Sequence, residues 1–149
     1  MSHRGCIICR LVERTEPCQP IYEDDRVLAF LDPVPINPGH ALLVPKRHVG
    51  GIGALPPAEL AHVMSLAPAL AQAITRSLGY DGYNIHIASG ECAGQAGTHA
   101  CIHLIPRIGT DAFHWHWRRV SYDETKAAED AAAIRNRLTR YPPDAPGHG

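Results

Sequence analysis

Three residues that could do chemistry occupy alternate positions in one short apolar run of the chain. The run "GTHACIHLIPR", residues 97–107, contains His99, Cys101 and His103. Imidazole and thiol groups transfer protons, attack electrophilic centres and ligate soft metal ions. In a β-strand, alternate side chains share one face and lie about 7 Å apart. Two of these three side chains could therefore touch one anionic group or one metal ion.

The glycine-rich segment "SGECAGQAGT", residues 89–98, precedes this run. Glycines let the backbone approach an anion closely and present N–H donors to it. The segment is not followed by a helix start, so it does not match a phosphate-binding P-loop. Next to the histidine-containing strand, it favours a binding site. The alternative is an ordinary half-exposed strand whose polar face is rich in histidine.

Hydrophobic patterning predicts the elements that must position these residues. Alternating or continuous apolar runs bounded by turn residues predict strands at four places: 22–32, 41–48, 83–88 and 99–107. The first two are separated by the turn-rich "PVPINPGH" and predict an antiparallel hairpin. In the last strand, alternation sends Ala100, Ile102 and Leu104 into the core. Few strands linked by tight turns predict an antiparallel α+β domain.

Two further runs have helical patterns. Residues 56–78 carry an apolar stripe that Gly79 should end, and Pro68 inside it should kink the helix or split it near Ala67. Residues 122–140 are rich in alanine and other good helix formers. We therefore predict a main domain over 1–120, followed over 121–149 by a C-terminal helix and a flexible tail.

Length and composition limit the possible classes of protein. The chain has 149 residues, 45% hydrophobic and 19% charged, which fits a globular domain with a real core. A net charge of −1 gives no reason to expect a nucleic-acid or acidic-membrane partner. No apolar run approaches the roughly 20 residues of a membrane-spanning helix. The start lacks the apolar core of a secretory signal, so we expect a cytoplasmic protein.

Cysteine usage indicates metal or thiol chemistry. Five cysteines are an odd number without an export signal, which disfavours a disulfide scaffold. Cys6 and Cys9 form a C-x-x-C, a spacing that lets two sulfurs reach one tetrahedral ion. By themselves they could equally be two buried thiols or a redox pair. Cys18 has no assigned role, and Cys92 lies in the glycine-rich segment, where it could be reactive.

Several motifs together resemble the histidine triad (HIT) family of nucleotide hydrolases and transferases. The resemblance runs from about Cys6 to Trp117, and its motifs occur in the family's order: "CIIC", "IYEDDRVLAFLD", "NPGHALLVPKRH", "GYDGYNIHIASGECAGQAGTHACIHLIPR" and "DAF". The resemblance implies an α+β fold, with a five-stranded antiparallel sheet, a long helix and a C-terminal helix. It also implies a homodimer that binds a small nucleotide or nucleotide conjugate.

The resemblance implies roles for individual residues. The family's strand carries His-x-His-x-His, whose central histidine attacks the α-phosphorus of a nucleotide; Cys101 takes that position here. His103 matches the histidine that contacts the phosphate. Asp32 matches the acid that binds the ribose hydroxyls, and Gly94 and Gln95 match residues of the phosphate loop.

This sequence departs from the family at three polar positions. Besides Cys101, Ala88 replaces an asparagine and Ala96 a residue that is often polar. A thiolate is a good nucleophile when cationic groups lie beside it, and His103 shares the face of Cys101. We therefore predict hydrolysis or transfer at the α-phosphate of a nucleoside phosphoramidate, dinucleoside polyphosphate or related adenylate. The alternatives are a catalytically silent nucleotide or metabolite binder, and a cleft metal site built from His99, Cys101 and His103.

Alternation on the third strand adds a catalytic candidate. Asn84, His86 and Ala88 share a face there, so His86 should lean toward the same cleft. We hypothesise that His86 supplies an imidazole beside Cys101; the alternative is a bystander on a polar face. In "FHWHW", His114 and His116 lie between aromatic residues that either shape a leaving-group pocket or form a surface edge.

The resemblance also implies a structural zinc site. Many bacterial relatives combine the two cysteines with a histidine ending "PK-x-H" and with the first histidine of the triad. Those residues are His48 and His99 here, which gives the ligand set Cys6, Cys9, His48 and His99. Two thiolates and two imidazoles complete a closed tetrahedral zinc sphere with no open position. Such a site would tie the N-terminus to the sheet.

Overall fold

The computed structural model describes residues 5–112 and 120–138. Residues up to Asp111 form one compact unit, and the C-terminal helix belongs to a second unit that is described by itself. The predicted boundary between residues 120 and 121 stays a prediction, because residues 113–119 are not among those described. The same holds for the predicted roles of His114 and His116.

The first unit is built on a single five-stranded sheet. Its elements in chain order are α1 (Ile7–Val12), β1 (Pro20–Glu23), β2 (Val27–Leu31), β3 (Ala41–Pro45), α2 (Pro57–Leu78), β4 (Gly82–Ile87) and β5 (Ile102–Arg107). The strands lie in the order β1-β2-β3-β5-β4, and every neighbouring pair is antiparallel. The predicted α+β class with a five-stranded antiparallel sheet is confirmed.

The predicted hairpin is formed by β2 and β3, which pair from Val27 opposite Pro45 to Leu31 opposite Ala41. The predicted strand over 22–32 is interrupted by a tight turn. The Asp24 carboxylate accepts the backbone N–H groups of Arg26 and Val27 at 2.8 and 2.9 Å, which fixes that turn. The turn supplies the fifth strand, β1.

The two faces of the sheet are covered differently. One face packs against α2 in the main core, through buried side chains that alternate along the strands and recur along the helix: Val27, Ala29, Ala41, Leu43, Ile102, Leu104, Val63, Ala67 and Ala71. The other face carries Leu28, Phe30 and Val44, which pack against Leu11 of α1. Because α1 is short, this second face is only partly covered. It is the face that holds the candidate site.

The long helix differs from its prediction at Pro68. A proline inside a helix removes one backbone hydrogen bond and crowds the preceding turn. Even so, α2 runs as one 22-residue helix through Pro68, so the predicted split near Ala67 is wrong and the alternative, a kink, stays a prediction. Buried Ala67 and Ala71 continue the packing against the sheet on both sides of the proline. Gly79 ends the helix in the left-handed conformation at φ 73°, as predicted.

The last strand begins later than predicted. β5 starts at Ile102, so His99 lies in a bend of the chain before the strand and Cys101 directly precedes it. The N–H of Ala100 donates to the carbonyl of Val49 at 2.7 Å instead of joining the ladder. The predicted alternation is confirmed, because Ala100, Ile102 and Leu104 are all buried.

The second unit contains α3 (Glu124–Leu138), close to the predicted helix over 122–140. None of the apolar side chains of α3 is buried. On its surface Lys126 forms an ion pair with Asp130, one turn later. Across the described residues, no helix combines the length and the hydropathy that crossing a membrane requires.

Candidate functional site

Four side chains from three parts of the fold converge at one end of the inner strands β3 and β5. Cys6 and Cys9 come from the start of α1, His48 follows β3, and His99 precedes β5. The Nδ1 atom of His99 lies 3.5 Å from Cys6 Sγ and 3.6 Å from Cys9 Sγ. Cys9 Sγ lies 3.2 Å from Nδ1 of His48. One ligand atom from each residue falls within 4.8 Å of all the others, so this cluster could hold a metal ion.

The donor set suits such an ion. Nε2 of His99 donates to the carbonyl of Pro45 at 2.8 Å, so Nδ1 keeps its lone pair and turns it toward the sulfurs. Burial and the neighbouring Cys6 raise the pKa of Cys9 to about 11, a cost that a bound cation would relieve. Two sulfurs and two nitrogens in a mostly buried cluster match a tetrahedral structural site. We name these four residues the Cys/His cluster.

A pocket of about 510 Å³ opens beside the Cys/His cluster. His99, Cys101 and His103 all line it, as their alternation predicted. The segment from Gly5 to Ile8 forms one side, and the loop from Gly94 to Thr98 forms another. The glycine-rich segment and the three alternating residues therefore share one cavity.

A buried histidine that the sequence interpretation did not assign supports His103. His40 is only 3% exposed, and its Nε2 lies 3.1 Å from Nδ1 of His103. The N–H of Ile36 donates to Nδ1 of His40 at 3.1 Å, so His40 carries its proton on Nε2. That proton is donated to Nδ1 of His103, which leaves Nε2 of His103 as a donor. Asp32 Oδ2 lies 3.7 Å from Nδ1 of His40.

Both of these imidazoles are neutral at pH 7. Burial lowers the pKa of His40 below its ordinary value of 6.5, although Asp32 acts in the opposite direction. Burial also lowers the pKa of His103, and the neighbouring His40 and His86 lower it further. In the free protein, His103 therefore presents an uncharged N–H donor.

Cys101 lies in the same pocket but in apolar surroundings. It is half-buried and packs with the second core cluster, against α1 and Leu42. Burial, and then the charge of Asp32, raise the pKa of the Cys101 thiol to about 12. The thiol therefore stays protonated at neutral pH, because no cationic histidine offsets these effects.

His86 lies on the far side of His103. The two residues are paired across β4 and β5, and their ring centroids are 5.9 Å apart. The structure thus brings His86 to His103; its predicted place beside Cys101 stays a prediction.

Asp32 lines a second cavity. Its Oδ1 accepts the N–H of Val34 at 2.8 Å, which fixes the carboxylate at the end of β2. This second pocket has a volume of about 480 Å³ and is also lined by Leu11, Cys18 and Phe30. The predicted role of Asp32 in binding ribose hydroxyls stays a prediction.

Gln95 orders the glycine-rich loop. Its Oε1 accepts the N–H of Gly90 at 2.9 Å, while Nε2 donates to the carbonyls of Gly50 and Gly97 at 2.6 and 2.8 Å. Gly94 has φ +90°, in the left-handed region that favours glycine. Gln95 therefore fixes the shape of the loop, and its predicted contact with a phosphate stays a prediction.

Among the described residues, His99, Cys101 and His103 do not form a common metal-ligand cluster. His99 belongs to the Cys/His cluster, and the group of possible ligands in the cleft is Asp32, His40 and His103. His40 and His103 use their facing nitrogens for each other. The sequence-based cleft site thus differs from the observed grouping at two of its three residues.

Comparison with known proteins gives a consistent picture. The HIT domain matches residues 13–110. The adenylylsulfatase HINT3 of Arabidopsis thaliana is 32% identical over 136 residues, 91% of this chain and 68% of the relative. The adenosine 5'-monophosphoramidase hnt1 of Schizosaccharomyces pombe is 31% identical over 126 residues, 83% of this chain and 92% of the relative.

Solved structures agree with these matches. A HIT family protein from Bacillus anthracis is 37% identical with a TM-score of 0.82, covering 89% of this chain and 96% of that one. A zinc-bound histidine triad family protein from Mycobacterium smegmatis is 30% identical with a TM-score of 0.70, covering 92% of this chain and 98% of that one.

Proposed function

The chain belongs to the HIT family, and from that premise we propose that it hydrolyses a nucleotide conjugate at its α-phosphate. Two relatives are named for such reactions, an adenylylsulfatase and an adenosine 5'-monophosphoramidase. The observation that carries the proposal is the shared pocket, in which Cys101 and His103 face the glycine-rich loop. The substrate classes are nucleoside phosphoramidates, dinucleoside polyphosphates and related adenylates.

We assign the binding roles as follows. Asp32 accepts the ribose hydroxyls; the support is that its carboxylate lines the second cavity and lies 3.7 Å from His40, the hydrogen-bond partner of His103. The loop at Gly94 and Gln95 surrounds the phosphate with backbone N–H groups. His103 donates its Nε2 proton to a phosphate oxygen, because the bond from His40 leaves the proton on that nitrogen.

We propose Cys101 as the nucleophile. Its sulfur forms a bond to the α-phosphorus while the bond from phosphorus to the leaving group breaks. The thiol proton passes to the leaving group, so an amide nitrogen departs as an amine. Water then attacks phosphorus, the sulfur–phosphorus bond breaks, the nucleoside monophosphate leaves and the thiol regains a proton. The thiol must lose its proton during the attack, because its pKa in the free protein is about 12.

One observation favours a second candidate, a nucleotide-binding protein without turnover. The raised pKa of Cys101 makes the thiol a poor nucleophile in the free protein. The pocket, Asp32 and the ordered loop would still bind a nucleotide. In this candidate Cys101 packs the floor of the pocket and forms no bond to phosphorus.

Release of AMP from adenosine phosphoramidate separates the two candidates. The wild type, Cys101→Ala and Cys101→His are compared at equal concentration, with AMP binding measured for each. The hydrolase proposal expects turnover by the wild type, and a loss of at least a hundredfold in Cys101→Ala with AMP affinity retained. Turnover seen only in Cys101→His would refute it and leave the silent binder.

We further propose that the Cys/His cluster binds zinc as a structural ion. The support is the convergence of two sulfurs and two imidazole nitrogens, and the zinc-bound relative. Cys6, Cys9, His48 and His99 would each supply one bond, so the ion would cross-link α1 to the segments beside β3 and β5. Elemental analysis of purified protein should give about one zinc per chain, and well under one would contradict this assignment.

We also propose a homodimer in a reducing compartment, as in the cytoplasm. All five cysteines are free thiols, which suits reducing conditions. Among the strands that the structure describes, β4 lies at one end of the sheet and pairs only with β5, so its other edge would be available to a second copy. Sedimentation analysis of the purified protein should give twice the chain mass.

A further inference from the structure

The Cys/His cluster and the ligand pocket share residues. Cys6 and His99 belong to the cluster, and both also line the pocket beside Cys101. The adjoining residues from Gly5 to Ile8 form that wall of the pocket. The pocket is therefore bounded by the segment that the cluster anchors.

This segment has little means of holding its own position. α1 has only six residues, and its N-cap residue, Cys6, makes no side-chain cap bond. Isolated helices shorter than about 12–15 residues are marginal in water, so α1 depends on contacts with the rest of the fold. Leu11 provides one such contact, packing against Leu28, Phe30 and Val44. Ile8 and Val12 also pack against this group. The fixed point outside this apolar packing is the Cys/His cluster, where Cys9 meets His48 and His99.

Cys101 shares its surroundings with this wall. Cys101 and Ile8 of α1 both pack against the second core cluster, which includes Leu11 of α1, and both line the pocket. Movement of α1 away from the sheet would remove the cover that desolvates the thiol. It would also remove one side of the cavity that receives the ligand.

From this arrangement we propose that the Cys/His cluster is a clasp whose metal occupancy governs nucleotide affinity and access to Cys101. The proposal rests on the metal site proposed above, but not on hydrolysis. With a metal ion bound, the segment from Gly5 to Ile8 is held over the pocket. Without the ion, the segment is released and the pocket loses a wall.

The coupling must act in both directions. If the metal-bound form binds the nucleotide more tightly, a bound nucleotide must retain the metal more tightly by the same factor. The affinity for zinc, measured by equilibrium competition with a chelator, should therefore be higher in the presence of AMP by that factor.

The test uses the full-length protein with zinc and after treatment with a zinc chelator. Alkylation by iodoacetamide is followed for each cysteine separately by peptide mass spectrometry, and AMP affinity is measured by calorimetry. We expect chelation to speed alkylation of Cys101 at least tenfold and to weaken AMP binding about tenfold, with both effects reversed by added zinc. These readouts do not depend on turnover, so they separate this proposal from the hydrolase proposal.

A variant provides the same test without chelator. His48 belongs to the cluster but is not part of the pocket lining, so His48→Ala removes a ligand and leaves the cavity wall intact in sequence. It should reproduce the faster alkylation and the weaker AMP binding. His62→Ala is the matched control. His62 contacts Asp24 at the turn before β2 and belongs neither to the Cys/His cluster nor to the pocket lining.

Three results would overturn the proposal. Unchanged alkylation and unchanged AMP affinity after the zinc has been removed would show that the wall does not need the ion. Purified protein without metal would remove its premise. Loss of hydrogen-exchange protection in α2 together with α1 would mean that the ion holds the whole fold, and not a local clasp.

Discussion

The Cys/His cluster and the cleft beside it contain the same kinds of side chain but arrange them differently. In the cluster, His99 gives one ring nitrogen to the carbonyl of Pro45 and turns the other toward two sulfurs. In the cleft, His40 and His103 bond to each other, and the Cys101 thiol lies among apolar groups. The two sites therefore differ in what the remaining ring nitrogen faces. In the cluster, Nδ1 of His99 faces sulfur atoms and can bind a metal ion, whereas in the cleft the facing nitrogens of His40 and His103 bind each other and leave His103 as a proton donor.

The largest effect is expected from removing a sulfur ligand. Cys9→Ser with zinc present should lower the free energy of unfolding by about 4 kcal/mol, the contribution of an ion at about a thousand times its Kd. Denaturant unfolding with and without chelator measures this. Cys92→Ser is the control, since Cys92 is exposed and is not one of the four residues of the Cys/His cluster. An equal loss in the chelated protein would show that Cys9 stabilises the fold by packing alone.

A smaller effect is expected from the cleft. His40→Leu leaves the Ile36 N–H and Nδ1 of His103 without their partner, and should cost about 3 kcal/mol of unfolding free energy. AMP binding should weaken as well, because His103 loses its fixed tautomer. His86→Leu, on the other side of His103, should affect stability less. If the two variants behaved alike, the His40–His103 bond would not be what distinguishes the cleft.

The smallest effect is a dependence of stability on pH. Folding lowers the pKa of His40 and His103 below 6.5, so the unfolded chain binds more protons in the window just under that value. Stability from these groups is therefore present above pH 6.5 and is lost as the pH falls toward the lowered pKa values. Thermal melts between pH 7.5 and 5.5 should show this slope in the zinc-free protein. The slope should flatten in His40→Leu; an unchanged slope would place its origin in other histidines.

Local patterns in the sequence predict much of the fold and one of the two clusters. Alternation correctly places Ala100, Ile102 and Leu104 in the core. The period of two extends to Ala100, although this residue precedes β5. The spacing of Cys6 and Cys9 predicts a pair of sulfurs, and the family resemblance supplies His48 and His99. These four residues do lie together in the structure.

The environment of the cleft could not be predicted in this way. The raised pKa of Cys101 depends first on burial, and Cys101 packs against a core cluster that includes Leu11 of α1, a residue remote in sequence. His40 lies inside a quoted motif, yet its partner His103 is 63 residues away, and only the pairing of β3 with β5 brings them together. The one local indication of a buried His40 was its position directly before β3, whose residues are mostly buried. Pro68 does not interrupt α2, because the packing of buried residues on both sides of the proline, such as Ala67 and Ala71, outweighs one lost backbone hydrogen bond.

The Gln95 side chain connects two stretches of backbone that belong to different parts of the site. It spans from the glycine-rich loop to the carbonyl of Gly50, two residues beyond His48. Any displacement of the loop would therefore pull on the backbone two residues beyond His48, a member of the Cys/His cluster. Substitutions in this loop should thus be studied as changes to both halves of the site at once.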